Sequence, residues 1–432
     1  MGHPMRALFF LILLLRASAE PLFEALKADN GAGMGAGAIL NALVIMIAAY
    51  CLLRQPVLLR RVVLPMWGPF LLAALVAAAL APEPLNALRL FLVQVSYCAV
   101  FATPLYLVRT QRDVKTCVHV ILCSSLLPVA YALLELGMHG SLSSSDDFRI
   151  KSTFTHPNIF AFYLVLMVAL ILYVQKSLSA DGRRARLVAA PMRATLWIYM
   201  ASLLALLILT RTRSAWGACL LVFMGYGMFF QRRFLLYALA VPLLLLLDPG
   251  VRERLLDVAS NKGSSGDTLN SYAWRVVLWQ AGLEWMQGAH ALFGYGLDSF
   301  KFYSPRFFPL EGQDSWDPHN VYVQLLFETG LAGLFSYAWL LTRLLRRLRH
   351  GMAADRPGSV ILMSIVLAYM LTAYFDNMLY YLAFNWYFWF LAGSACAALR
   401  VQGRARLRAH AIAQGTAYAF AGAAAPAVGS AP

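Results

Sequence analysis

Residues 159–175 read IFAFYLVLMVALILYVQ, an apolar run with no charged side chain. A bilayer takes roughly 20 residues of helix per crossing. A lone segment in lipid satisfies its own backbone groups only as a helix. Runs of this kind recur along the 432-residue chain, which is 60% hydrophobic and 13% charged; soluble domains are nearer 45–50% and about 25%. The expected fold is therefore all-α, a polytopic integral membrane protein with about twelve transmembrane helices. They are expected near 5–18, 36–53, 66–81, 90–108, 116–137, 159–175, 194–210, 215–230, 234–248, 320–341, 358–375 and 379–399.

Charge orients these spans. The first has the form of a signal peptide: Arg6, an apolar run, then Ala17-Ser18-Ala19. An uncleaved first span with a cytoplasmic amino terminus is expected, because it gives every later loop the charge of its side. The loops then cytoplasmic carry Arg54, Arg60 and Arg61; Arg109, Arg112 and Lys115; Arg183, Arg184, Arg186 and Arg193; Arg232 and Arg233; and Arg343, Arg346, Arg347 and Arg349, with Arg400, Arg404, Arg406 and Arg408 following. This is the positive-inside bias. The chain divides into nine spans over 1–248, a long outer loop with an interfacial helix over 249–319, three spans over 320–400, and a disordered cytoplasmic tail over 401–432. The net charge of +15 fits loops facing anionic lipid rather than nucleic acid. The six cysteines lie in or beside apolar stretches, which argues against a disulfide framework or a CxxC metal site.

Some cations then face outward against the bias: Arg149, Arg211, Arg213, Arg252, Arg254 and Arg275. A single one is explained by snorkelling to headgroups. Several together fit an anionic ligand better, since the guanidinium presents a planar fork to phosphate oxygens. Arg211 and Arg213 stand in the tight turn TRTRS at 210–214. In the long loop, Trp274, Leu278 and Trp285 share one helical face, as expected of a helix at the membrane interface. Arg275 beside them can address a phosphate. Gly294 and Gly296 permit a tight turn.

Residues 318–333 read PHNVYVQLLFETGLAG. His319 stands where a polar loop meets an apolar helix, with Pro318 and the capping residue Asn320 beside it. A lone histidine is more often structural than catalytic. Its outer position, its titration near neutral pH and the nearby carboxylates, Asp317 among them, favour a general base. A metal set of Asp298, Asp314, Asp317 and His319 lacks tight ligand spacing, so no metal and no cofactor is expected. Glu328 lies two turns further in, about 12 Å along the axis. At that depth it is expected to be functional or paired with an arginine. Gly330 and Gly333 are expected to allow close helix packing. Upstream, RIKSTFTHPN at 149–158 offers His156 as a second site histidine or a turn residue, and Asn158 as a helix cap.

Together these residues resemble the O-antigen ligase and polymerase superfamily. His319-Asn320, nine residues, Gly330, two residues, Gly333 fits its pattern H-[NSQ]-x9-G-x-x-[GTY]. The 211–214 turn, Arg275 with Trp279, and the 154–158 segment are similar to further family signatures. The resemblance implies a GT-C-like, inverting, metal-independent glycosyltransferase of the bacterial inner membrane with a large periplasmic loop. It implies a glycan donor on undecaprenyl diphosphate and a lipid A–core acceptor, with membrane lipids as surroundings. By that resemblance His319 is the base, and Arg211, Arg213 and Arg275 hold the diphosphate, with Arg149, Asn320, Glu328, Gly330, Gly333 and Asp317 in support. The motif does not separate ligases from O-antigen or exopolysaccharide polymerases or from protein-glycosylating ligases. A lipid-linked glycan transporter is the non-enzymatic alternative.

Overall fold

The structure, a computed structural model, describes residues 3–23, 25, 35–138, 148–178, 190–245, 271–308 and 314–423. Arg183, Arg184, Arg186, Arg252 and Arg254 lie outside the described residues. Among the described residues every regular element is helical. Besides short helical pieces at Pro56–Leu58, Leu59–Val63, Pro104–Leu107 and Met378–Tyr380, they are, in chain order, α1 (His3–Arg16), α2 (Ala36–Arg54), α3 (Leu64–Leu80), α4 (Pro84–Ala102), α5 (Gln111–Ser124), α6 (Leu126–Met138), α7 (Pro157–Leu178) and α8 (Ala190–Leu209). There follow α9 (Arg213–Phe229), α10 (Arg233–Leu245), α11 (Ser271–Trp285), α12 (His290–Phe293), α13 (Ser299–Phe307), α14 (Val321–Gly351), α15 (Arg356–Thr372) and α16 (Leu382–Ala423). Among the described residues a helix overlaps each expected span. Eight stretches are long and apolar enough to cross a membrane. The other four, α1, α9, α10 and α15, run to 14, 17, 13 and 17 residues.

The apolar run 159–175 lies within α7, at the centre of the bundle. Burial inside the protein covers 72% of its apolar window, against 22% for α2 and for α8. The outer helices instead present large apolar side chains outward, such as Leu53, Leu72, Ile198 and Phe335, a surface suited to lipid. Aromatic rings fill the centre. Trp67 of α3 meets Trp389 of α16 at 4.5 Å between centroids, and Tyr163 of α7 meets Tyr387 of α16 at 5.2 Å.

The first helix belongs to this core. Phe9, Leu13 and Ala17 are fully buried. The Tyr387 hydroxyl accepts from the Ala17 N–H at 3.0 Å and donates to the Leu13 carbonyl at 2.6 Å. Thr153 donates to the Ala17 carbonyl at 2.6 Å.

Two segments bear on the expected division of the chain. The aromatic face of α11 packs on protein. Leu278 is fully buried, Trp274 packs edge-on against Phe308 and Trp316, and Trp285 packs against Tyr295, Tyr303, Phe307 and Phe327. One apolar stripe on a helix fits lipid or protein equally well, and here α13 and α14 supply the partner rings. The tail expected to be disordered continues α16 as far as Ala423. Its alanines, arginines and glutamines are good helix formers.

Helix α14 is broken at Gly330, whose φ of 65° and ψ of −171° are non-helical. The Leu292 carbonyl at the end of α12 approaches so closely that a Cβ on Gly330 would lie 2.2 Å from it. The Gly294–Gly296 turn docks into this break: Tyr295 N–H donates to the Phe327 carbonyl and Gly296 N–H to the Glu328 carbonyl, both at 2.9 Å. Gly330 thus permits close approach of a loop rather than of a second long helix. Gly333 makes room for the Thr329 side chain of its own helix.

Candidate active site

The site forms where the ends of α7, α8, α9, α11, α14 and α15 meet. His319 precedes α14 and is held with φ at 48°, a left-handed conformation uncommon for a residue with a Cβ. Its neighbours fix it there. Asn320 caps α14, its Oδ1 accepting from Tyr322 N–H at 2.9 Å and Val323 N–H at 3.2 Å. Val321 N–H donates to the Ala373 carbonyl at 2.8 Å. The indole of Trp279 on α11 donates to the Pro318 carbonyl. The imidazole remains partly open, its side chain 43% exposed.

The carboxylate facing it is Asp376, in the short link after α15. Its Oδ1 lies 3.9 Å from His319 Nδ1, and its side chain is only 4% exposed. Tyr381 donates its hydroxyl to the same carboxylate, as does Asn377 N–H at 3.0 Å. Asn158 Nδ2 donates to Oδ2 at 2.6 Å. Burial by itself would raise the Asp376 carboxyl, but His319, Tyr381 and the Asn377 amide outweigh it and hold the group below the usual carboxylate range.

Asn158 carries the network onward. It is the second residue of α7 rather than its cap, and its Oδ1 accepts from Arg149 Nη2 at 2.8 Å and from the Thr212 hydroxyl at 3.2 Å. Arg149 also donates through Nε to the Thr210 carbonyl at 2.9 Å and through Nη2 to Thr212 Oγ1 at 3.0 Å. It therefore clamps the 210–214 turn, in which Arg211 has a left-handed φ of 52° and Arg213 opens α9 with an exposed side chain. From the other side, Arg275 Nη1 donates to the Phe375 carbonyl at 3.1 Å, next to Asp376. His156 accepts from Asn158 N–H at 3.1 Å, a turn role.

His319, Arg149, Arg275 and the Arg211 turn thus converge on one network. Asp317 and Glu328 do not join it directly. Asp317 lies 3.9 Å from Lys301. Glu328 is buried, its Oε1 accepting from Gln324 Nε2 at 3.1 Å and from the Tyr380 hydroxyl at 3.4 Å, so neutral groups stand where an arginine was one expected partner. Consecutive tyrosines, Tyr380 and Tyr381, therefore serve two different acids. Among the described residues no three His, Cys, Asp or Glu side chains gather as a metal-binding group. Asp376 is not among the site residues expected from the sequence. Its one signal is an acid in the three-residue loop 376–378 between two apolar spans.

Residues 198–338 match the family model described as O-antigen ligase. This stretch of the chain is similar to O-antigen ligases. No curated protein matches the chain. The match supports a ligase- or polymerase-type glycosyltransferase in a multi-pass membrane protein, and with it lipid-linked glycan substrates. The O-antigen ligase match contains Arg211, Arg213, Arg275 and the stretch from His319 to Gly333. Arg149, Asn158 and Asp376 lie outside it and reach the domain through the fold alone.

Proposed function

We propose that this protein is an O-antigen ligase-like glycosyltransferase. It moves a glycan from undecaprenyl diphosphate to a sugar hydroxyl of lipid A–core at the periplasmic face of the inner membrane. The observation that carries this reading is the half-exposed His319 beside the buried Asp376 carboxylate, with arginines on the same network.

In this reading Asp376 is a positioning residue. It faces Nδ1, favours a proton there and leaves Nε2 as the base toward an incoming hydroxyl. The acceptor oxygen forms a bond to the anomeric carbon of the donor while the bond from that carbon to the diphosphate oxygen breaks. The hydroxyl proton goes to His319 Nε2, and the electron pair of the broken bond leaves on the diphosphate. One displacement inverts the anomeric centre. Arg211, Arg213 and Arg275 stabilise the charge growing on the leaving group, and Arg149 holds the 210–214 turn in place. Arginines in this role substitute for a divalent cation, so transfer is expected to persist in EDTA. A transporter reading fits less well, since it needs polar groups near the bilayer midplane whereas these gather at the helix ends.

Deleting the gene in its host and separating lipopolysaccharide on a gel tests the proposal. Loss of a ligase leaves bare core and accumulates polymeric lipid-linked glycan. Core bearing single repeats would instead identify a polymerase. Unchanged lipopolysaccharide would remove lipid A–core as the acceptor.

A further inference from the structure

A second group of arginines lies at the opposite end of the bundle. Helix α16 leaves the site next to Tyr381 and reaches Arg400 eighteen residues beyond its start at Leu382, about 27 Å along its axis. There Arg400 joins Arg54, at the end of α2, and Arg109, just before α5, in lining a cavity of about 830 Å³. None of the lining residues is an Asp or Glu. The nearest acid in sequence, Asp113, is occupied by Arg6 at 2.8 Å and by the backbone N–H groups of Arg109 and Thr110.

Apart from Gln55 and Tyr106 the remaining walls are apolar, with Val57, Leu105 and Val108 among them. Arg400 donates through Nη2 to the Leu105 carbonyl, which holds its guanidinium against the wall. Arg54 and Arg109 are exposed, and Arg54 lies over the Tyr50 ring at 5.3 Å. At the rim Leu53 is 82% exposed and Val57 57% exposed, so an apolar outer surface runs to the edge of the cavity. Arg54 and Arg109, both exposed at this cavity, present positive charge to an anion that enters it. A ligand satisfying both features carries phosphate at one end and hydrocarbon at the other.

We propose that this cavity binds the headgroup of an anionic phospholipid, with its phosphate among Arg54, Arg109 and Arg400 and its acyl chains over Leu53 and Val57. The site is separate from the His319 network and does not depend on the reaction proposed for it. It also explains why arginines collect there, since basic pockets between helix ends bind such headgroups.

The test is native mass spectrometry of the purified full-length protein titrated with phosphatidylglycerol or phosphatidylethanolamine. The comparison is with the Arg54→Gln/Arg109→Gln double variant, whose exposed side chains can be replaced without opening the core. The wild type should retain phosphatidylglycerol in preference to phosphatidylethanolamine, and affinity should fall about fivefold for each arginine removed. Equal retention of the anionic lipid by wild type and double variant would overturn the proposal. So would displacement of that lipid by millimolar inorganic phosphate, which would mark a small-anion site.

Discussion

The two ends of the bundle use arginine in opposite ways. Around His319, Arg149 spends its guanidinium on Thr210, Asn158 and Thr212, and Arg275 reaches the Phe375 carbonyl beside buried Asp376. At the other end Arg54, Arg109 and Arg400 line a cavity with no carboxylate in its walls. The first set is tied into a hydrogen-bond network that also holds an acid and a histidine, and such order suits positioning of reacting groups. In the second, Arg54 and Arg109 are exposed and Arg400 is held by the Leu105 carbonyl, an arrangement that suits a fluid ligand. Positive charge alone does not distinguish these uses; the partners do.

The largest effect is expected at His319. His319→Ala should cut glycan transfer about 10²–10⁴-fold, the usual contribution of a general base, while leaving the amount of protein in the membrane unchanged. Full activity in this variant would remove the base assignment.

Next comes Asp376→Asn. Loss of a hydrogen-bonded charge costs about 1.5–3 kcal/mol, a factor of roughly 10–100 in transfer. A pH series of thermal unfolding separates positioning from mere packing. The folded Asp376 carboxyl lies below its ordinary value. Its contribution to stability is therefore complete above the unfolded carboxyl pKa of about 4 and is lost as pH falls through the lower folded value. The wild type should lose stability on that acid limb, and Asp376→Asn should lose less. Identical acid limbs would count against an ionised Asp376.

A smaller effect is expected at Arg149. Arg149→Lys keeps the charge but cannot reproduce the fork to Thr210, Asn158 and Thr212, so transfer should fall about 5–10-fold. Wild-type activity would show that the 210–214 turn needs no clamp. The smallest effect belongs to the other end, where Arg54→Gln/Arg109→Gln should leave transfer unchanged in a direct assay and alter only lipid retention. A loss of transfer equal to that of Arg149→Lys would erase the distinction between the two ends.

Legibility followed the range of the physics. The apolar run that became α7 and the Asn320 cap rest on residues adjacent in the chain, and both were readable there. The face of α11 was read correctly as one stripe, but lipid and aromatic protein surface make the same demand on such a stripe. Gly330 was marked as a close-approach position, while the approaching group, the Leu292 carbonyl, is set by a loop. Asp376 takes its meaning from His319 and Asn158, 57 and 218 positions away in the numbering; an acid in a short loop between apolar spans is a weak local signal.

By itself the sequence determined that this chain is a multi-pass helical membrane protein with an O-antigen ligase motif, because hydropathy and the spacing around His319 are local properties. Tertiary structure alone decided that Asp376, rather than Asp317, faces His319, and that Arg149 serves the 210–214 turn. A buried carboxylate acquires its charge and its task from the donors around it, and here those donors come from α7, the start of α14 and the link between α15 and α16.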